Sequence, residues 1–199
     1  MPNLQEQYLV FDTETNGLPR DWKAPVTDTD NWPRLVQLAW AVYDQHGQVL
    51  ERRCHIIRPE GFVISEDAAL IHGVTQERAL REGVRLSEVL DAFVQRLHVA
   101  ELLVAHNIAF DAKIIGAELY RASRPMRLDK KSQLCTMQVS TSYCRLPGRY
   151  GSYKWPTLTE LHTVLFDRGF DGAHDALVDV DACARCFFEL RKRGVLASL

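Results

Sequence analysis

The sequence predicts an α/β fold in which helices flank a mixed five-stranded sheet. Three observations lead there: β-prone apolar runs come first, helical periodicity takes over from Ser65, and brief apolar strands then alternate with helices.

The elements follow in order. Tyr8-Leu9-Val10-Phe11 is short, continuous and β-prone, as in a buried central strand. Pro19 to Arg34 is polar, carries Pro and Trp, and is long for a connection inside a compact domain, which marks it as a candidate functional loop. Leu35–Tyr43 and Val49–Ile57 read as strands joined by the turn Asp44-Gln45-His46-Gly47-Gln48, hence antiparallel. Ser65-Glu66-Asp67 opens a short helix that Gly73 stops. Ser87 to His98 is helical, with Val89, Leu90, Phe93, Val94 and Leu97 on one face. Leu102–Ala105 is a strand, Ala109–Ala122 a helix and Gln133–Met137 the fifth strand. Thr157 and Glu160 have capping-box spacing for a helix ending near Phe166. Ala176 to Arg193 is the last helix, with Arg191, Lys192 and Arg193 suiting its C-terminal end. No linker interrupts this order, so one domain over 1–199 is expected, with its core at about 8–193.

Composition narrows the function. The chain has 199 residues, 46% hydrophobic and 25% charged, with a net charge of −2, which excludes a basic polyanion-coating protein and an acidic disordered chain. No apolar run approaches the roughly 18 residues of a membrane span. The opening MPNLQEQYLVFD lacks the basic and apolar regions of a signal peptide. Five cysteines at irregular spacing do not form a disulfide framework, and a reduced, cytoplasmic protein is the expectation.

The acidic residues that matter are those at the ends of buried strands. Asp12 and Glu14 lie two apart at the exit of the first strand, so they share a face, where their repulsion is costly unless a cation sits between them. Read alone, the pair is equally a turn-forming Asp and an exposed Glu. Asp111 falls in the first turn of the helix after Leu102–Ala105, where an Asp also complements the helix dipole. His174 and Asp179 are five apart, too far to stack on one helix face, but a His in the loop before the helix can reach the site of an Asp one turn inside it.

Taken together, Asp12-x-Glu14, His106-Asn107-x-x-Phe110-Asp111 and His174-x-x-x-x-Asp179 resemble, in order and context, the motifs of the DEDDh 3′–5′ exonucleases. That superfamily includes the DNA polymerase III epsilon subunit and ribonuclease T, and the resemblance runs from about Tyr8 to Leu190. Ile71-His72-Gly73-Val74 is similar to the family's His-Gly element, and Leu18 matches its apolar wedge position. The sequence departs from the pattern in its longer 19–34 connection and in Cys135, where many members carry Asp.

The resemblance implies a ribonuclease H-like three-layer fold and a metal-dependent exonuclease that releases nucleoside 5′-monophosphates from a 3′ end. It implies Asp12, Glu14, Asp111 and Asp179 as ligands of two Mg²⁺ or Mn²⁺ ions, with Asp12 bridging. Two such ions suit an anionic phosphodiester, one activating water and the other stabilising the leaving oxygen. His174 would take the proton from the attacking water. Leu18, His72 and Asn107 would hold the 3′ end, with the backbone around Thr13 facing the sugar. The implied partner is nucleic acid with a free 3′ end. The Asp12-to-Leu18 element is similar to the DNA-proofreading branch, so DNA is favoured, with single-stranded DNA the expected partner, and an exoribonuclease of the same superfamily or a non-catalytic nucleic-acid-binding module are the alternatives. A homodimer stays open. Only six residues follow the last helix, so no covalent polymerase domain is expected.

Arg121 to Lys154 contains eight basic residues and one acid, either a grip on a phosphate backbone or a solvated loop. Tyr143, Tyr150, Tyr153 and Trp155 in its later half offer faces for single-stranded bases. Trp22 and Trp32 suit packing of the long loop more than substrate contact. Cys183-x-x-Cys186, with Cys135 and Cys144, has the look of a zinc or redox set. It falls inside a helix among small and aromatic residues, where thiols pack as core.

Overall fold

The computed structural model describes residues 6–125 and 128–196. Outside them lie the first five residues of the opening segment, Arg127 of the basic stretch and the last three residues of the C-terminal segment.

Strand β1 (Gln7–Thr15) continues four residues past the apolar run, so Asp12 and Glu14 are strand residues. Its burial alternates over 11–15, Phe11, Thr13 and Thr15 buried and the two acids half-buried on the opposite face, as a period of two requires. β2 (Leu35–Asp44) is buried throughout and pairs antiparallel with β1 and with β3 (Val49–Ile56). The β2–β3 turn is tied by Asp44, whose carboxylate accepts from the amides of His46 and Gln48.

Helix α1 (Glu66–His72) starts at the Ser65 cap and stops at Gly73, whose φ of 72° is the left-handed cap that glycine adopts freely. α2 (Gln76–Glu82) is not anticipated by periodicity, because of its seven residues only Ala79 is buried. α3 (Leu86–Val99) buries Val89, Leu90, Phe93 and Leu97 as expected, with Val94 half-buried. β4 (Leu102–Ala105) lies parallel to β1 and to β5 (Ser132–Cys135). α4 (Ile108–Arg121) leaves β4 after two residues.

At the fifth strand the structure differs from the expected 133–137 run. β5 ends at Cys135, and Thr136 begins a further helix, α5 (Thr136–Cys144), rich in Thr and Ser, which signal helix weakly. α6 (Leu158–Phe166) carries the complete Thr157/Glu160 capping box, and α7 (Ala176–Lys192) closes the fold.

The sheet order is β3-β2-β1-β4-β5, mixed and five-stranded as expected. One core layer joins Leu9, Phe11 and Trp40 to Phe93, Ile114 and Ile115 of α3 and α4. The other joins Tyr8 and Val10 to Leu161 of α6 and to Val180, Phe187 and Leu190 of α7. β1 is therefore central in both directions, and its C-terminal end is the place where the two helix layers can reach one point.

The 19–34 loop is docked on α4. Asn31 is buried and exchanges hydrogen bonds with the backbone of Asp21, at 2.7 and 2.9 Å. Trp32 is buried in the core and its Nε1 donates to Pro25 O at 3.0 Å. Arg121 donates to the carbonyls of Thr29 and Trp32, and Lys113 to that of Trp22. Trp22 stays half exposed against Phe110, with ring centroids 5.6 Å apart. Among the described residues no helix is long and apolar enough to cross a membrane.

Candidate active site

The C-terminal edge of β1 gathers the acidic residues. Parallel pairing of Val10 with Val104 puts Asp12 level with the start of the β4–α4 turn, and antiparallel pairing sets Glu14 opposite Gln37. Gln37 is buried, and its Oε1 accepts from the amide of Ala176 at 3.3 Å. A β2 side chain thus docks the first turn of α7 beside Glu14. Asp175 caps that turn, accepting from the amides of Leu177 and Val178. Asp179 follows one turn on.

His174 precedes the cap with φ 71°, a left-handed conformation unusual for a non-glycine residue. Its amide donates to Asp179 Oδ2 at 3.1 Å, which holds the strained residue in place. Ligand atoms of Glu14, His174 and Asp179 lie within 4.8 Å of one another, the group of described residues able to share a metal ion. His174 is exposed at the mouth.

Asp111 comes from the opposite helix layer. It is buried, and its Oδ1 accepts from both Thr13 N and Thr13 Oγ1, at 3.0 and 2.7 Å. The Thr13 amide is therefore committed to Asp111, while the backbone around Thr13 is the part expected to face a sugar. Thr13 still lines a cavity of about 500 Å³ between the end of β1, α1, Phe110 and His174. Leu18, His72 and Ile71 line the same cavity, Leu18 and Ile71 exposed and His72 buried. His72 Nδ1 accepts from the amide of Val74, and its buried Nε2 has no partner. Asn107 sits at the α4 N-terminus with φ 72°, apart from the cavity lining.

The electrostatics are those of an acidic cluster in poor contact with water. Burial, then Asp111 and Glu14, push Asp12 well above the usual carboxylate range. Burial, then Asp179 and Asp111, raise Glu14 to about 8. Asp111 rises to about 7 through burial, opposed by its Thr13 hydrogen bonds. Asp179 is raised by burial, opposed by the His174 amide, and its buried Oδ1 has no partner. Hard carboxylate oxygens, mutually repelling and one of them orphaned, fit a divalent cation.

The cysteines do not form a rival centre. Cys135, Cys183 and Cys186 are buried, and burial pushes the Cys186 thiol up to about 12 and Cys183 well above its ordinary value. Thiols this reluctant to ionise are packing groups.

The expected basic strip is dispersed. Arg121 pairs with the buried Glu118, Arg124 with Asp91 and Lys154 with Glu160, while Lys131 donates to the carbonyls of His98 and Ala100.

Sequence reasoning missed Gln37, Thr13 as the anchor of Asp111, Asp175 as a cap, and Ile71 and Phe110 in the cavity wall. Of these, only the Asp175 cap position had a local signal.

A three-layer sheet of this order with an acidic edge is the layout of the ribonuclease H-like nucleases. The chain belongs to the exonuclease family of the ribonuclease T type, whose profile matches residues 9–187, and so to the DEDDh 3′–5′ exonuclease superfamily. Solved structures agree on the fold. E. coli Exonuclease I in complex with a dA16 oligonucleotide is 20% identical with a TM-score of 0.72, over 95% of this chain and 41% of that chain. The zinc-bound form of the E. coli Exonuclease I–ssDNA complex is 22% identical, with a TM-score of 0.71 over 95% of this chain and 41% of that one. A moderately thermophilic Exonuclease I from Methylocaldum szegediense is 22% identical, with a TM-score of 0.71 over 94% and 41%. The chain thus spans about 41% of the length of these relatives. No curated protein sequence matches it.

Proposed function

We propose that the chain is a divalent-metal-dependent 3′–5′ exonuclease that acts on single-stranded DNA and releases nucleoside 5′-monophosphates. The observation that carries this reading is the convergence of Glu14, His174 and Asp179 within 4.8 Å, at the strand end that also bears Asp12. Asp111 is pinned beside it by Thr13.

Asp12, Glu14, Asp111 and Asp179 would hold two Mg²⁺ or Mn²⁺ ions, which when bound supply Lewis-acid activation of water and of the leaving 3′-oxygen. The chain's own residues do the rest. His174, exposed at the mouth, takes the proton of the attacking water at an imidazole nitrogen. Asp179 restrains the His174 backbone and thereby the imidazole's approach. The cavity of about 500 Å³ has room for a terminal nucleotide, with Leu18 and Ile71 against the base and His72 in its wall. Asn107 would contribute from the α4 N-terminus. DNA is favoured because the Relatives' oligonucleotide complexes are with DNA and single-stranded DNA.

The test uses 5′-labelled single-stranded DNA, duplex DNA and RNA with Mg²⁺ or with EDTA. A ladder shortening from the 3′ end, release of 5′-mononucleotides, a preference for single-stranded DNA and silence in EDTA are expected. Internal cutting, or turnover in EDTA, overturns the reading. Asp179→Ala should be inactive with its circular dichroism unchanged, and wild-type turnover in that variant would remove Asp179 from the site. His174→Ala should lose rate, still bind metal, and recover part of the rate as pH rises and hydroxide replaces the base.

A further inference from the structure

The segment between α5 and α6 is built, although it lies among loops. Gly148 N donates to Ser152 O at 2.8 Å and Lys154 N to Leu146 O at 3.0 Å, and Pro147 bridges Tyr153 antiparallel. It is a closed hairpin. Its packing is close enough that a Cβ on Gly148 would lie 2.8 Å from Lys154 N and Ser152 O. At the tip Tyr150 takes φ 56°, a conformation costly for an aromatic residue, and is 104% exposed. Trp155 at the base is 61% exposed and Tyr153 49%. An aromatic side chain gains nothing for the fold by facing water at that degree, and three such rings between residues 150 and 155 are apolar faces open to a ligand.

The hairpin is tethered to the edge that carries the acids. His106 directly follows β4, and its Nε2 donates to Pro156 O at 3.0 Å while its Nδ1 accepts from Thr136 Oγ1 at 3.0 Å. Strand register, continued past the last pairs, sets His106 level with Asp12 and with Thr136, the first residue of α5. Charge points to the same kind of ligand. Most of the basic strip is spent on internal partners, yet no ion pair of the described residues involves Arg145 or Arg149, and both are exposed.

We propose that this hairpin is the platform for the single-stranded DNA upstream of the bond to be cut. Tyr150 and Trp155 stack on bases, and Arg145 and Arg149 meet phosphates. Aromatic faces accept any base, and a few phosphate contacts hold a strand without sequence preference, as an exonuclease needs. The proposal rests on the exonuclease reading for its substrate. Its own content is that affinity depends on strand length through the hairpin.

The experiment compares wild type with two exposed-residue variants, Tyr150→Asn/Trp155→Ala and Arg145→Ala/Arg149→Ala. Asn tolerates the left-handed backbone, so the first variant keeps the hairpin conformation. The dissociation constant for dT20 is measured in Ca²⁺, and kcat/KM for dT20 and for the dinucleotide dT2 in Mg²⁺. The aromatic variant should weaken dT20 binding by about tenfold or more and lower the dT20-to-dT2 ratio of kcat/KM by a similar factor. The arginine variant should flatten the slope of log affinity against log salt by roughly 0.7 per contact. Unaltered dT20 affinity and slope, an equal loss on dT2 and dT20, or no binding of dT20 to wild type would each overturn the platform. If wild type binds dT20 but does not turn it over, the exonuclease reading fails while the binding comparison still judges the hairpin.

Discussion

Asp12 concentrates the tension of the molecule at one residue. It is a carboxylate pushed upward by burial and by four neighbouring acids, in a strand that would otherwise prefer an apolar side chain. Asp12→Asn removes a carboxyl whose ionisation burial and its neighbours oppose, at almost constant volume. At pH 8 the metal-free variant should melt at least ~2–4 °C higher than wild type, the shift about 1 kcal/mol gives a chain of this size. The upward shift in Tm that Mg²⁺ gives wild type should shrink or vanish. An equal Mg²⁺ shift in both proteins would take Asp12 out of the metal set. Thr13 acts one step back, as a positioning residue. Thr13→Val deletes the hydroxyl donor to a buried carboxylate and should cost about 1.5–3 kcal/mol and weaken Mg²⁺ binding, whereas Thr13→Ser should retain both. Calorimetric titration with Mg²⁺ separates the two.

At the scale of elements, the 19–34 loop divides its tryptophans between two tasks. Trp32 is a core residue that the loop contributes to α4, and Trp22 is a half-exposed ring leaning on Phe110 in the cavity wall. Trp32→Ala should cost ~3–5 kcal/mol in urea unfolding, and Trp22→Ala less than about 1 kcal/mol. Comparable losses would mean that the loop is not docked through Trp32. The helices teach a similar distinction. α3, with its apolar stripe, and α6, with its capping box, are evident in sequence. α2 and α5 are not, because α2 buries a single alanine and α5 buries Thr136, Met137 and Ser140, which carry no stripe. α2 is held instead by its Thr75 cap and by the i,i+4 ion pairs Arg78–Glu82 and Glu77–Arg81.

For the whole molecule the acidic edge sets a pH dependence. Glu14 and Asp111 hold protons in the folded chain up to about 8 and about 7. In the unfolded chain such groups release them near ~4. Between those limits the folded state binds more protons, so ∂ΔG/∂pH of unfolding is negative. The stability is full below about pH 4 and is lost as pH rises through 7 to 8. Metal-free protein should therefore melt progressively lower from pH 5 to pH 8. Saturating Mg²⁺ should reverse the trend, since a bound cation stabilises the ionised carboxylates and binds the folded state alone. Melting curves at four pH values, with EDTA and with Mg²⁺, check the sign. A rising Tm in EDTA would contradict it.

What the sequence by itself determined is whatever depends on near neighbours. Strand period two places Asp12 and Glu14 on one face, capping pairs start α1 and α6, and the alternation of apolar runs sets the α/β class. The three acidic motifs are each local, which is why their family resemblance is legible along the chain. Only the tertiary structure decided how they meet. Thr13 reaches Asp111 across 98 residues, and Gln37 docks Ala176 across 139. Neither pairing has a local signature, because a hydroxyl or an amide in a strand acquires its role from the group opposite it. The same holds for the basic stretch, continuous in sequence yet divided in space. Arg121, Arg124 and Lys131 turn onto the loop, Asp91 and the end of α3, while Arg145 and Arg149 stay with the aromatic hairpin. Charge is a property of residues, but a charged surface exists only once the chain has folded and its internal partners have been taken.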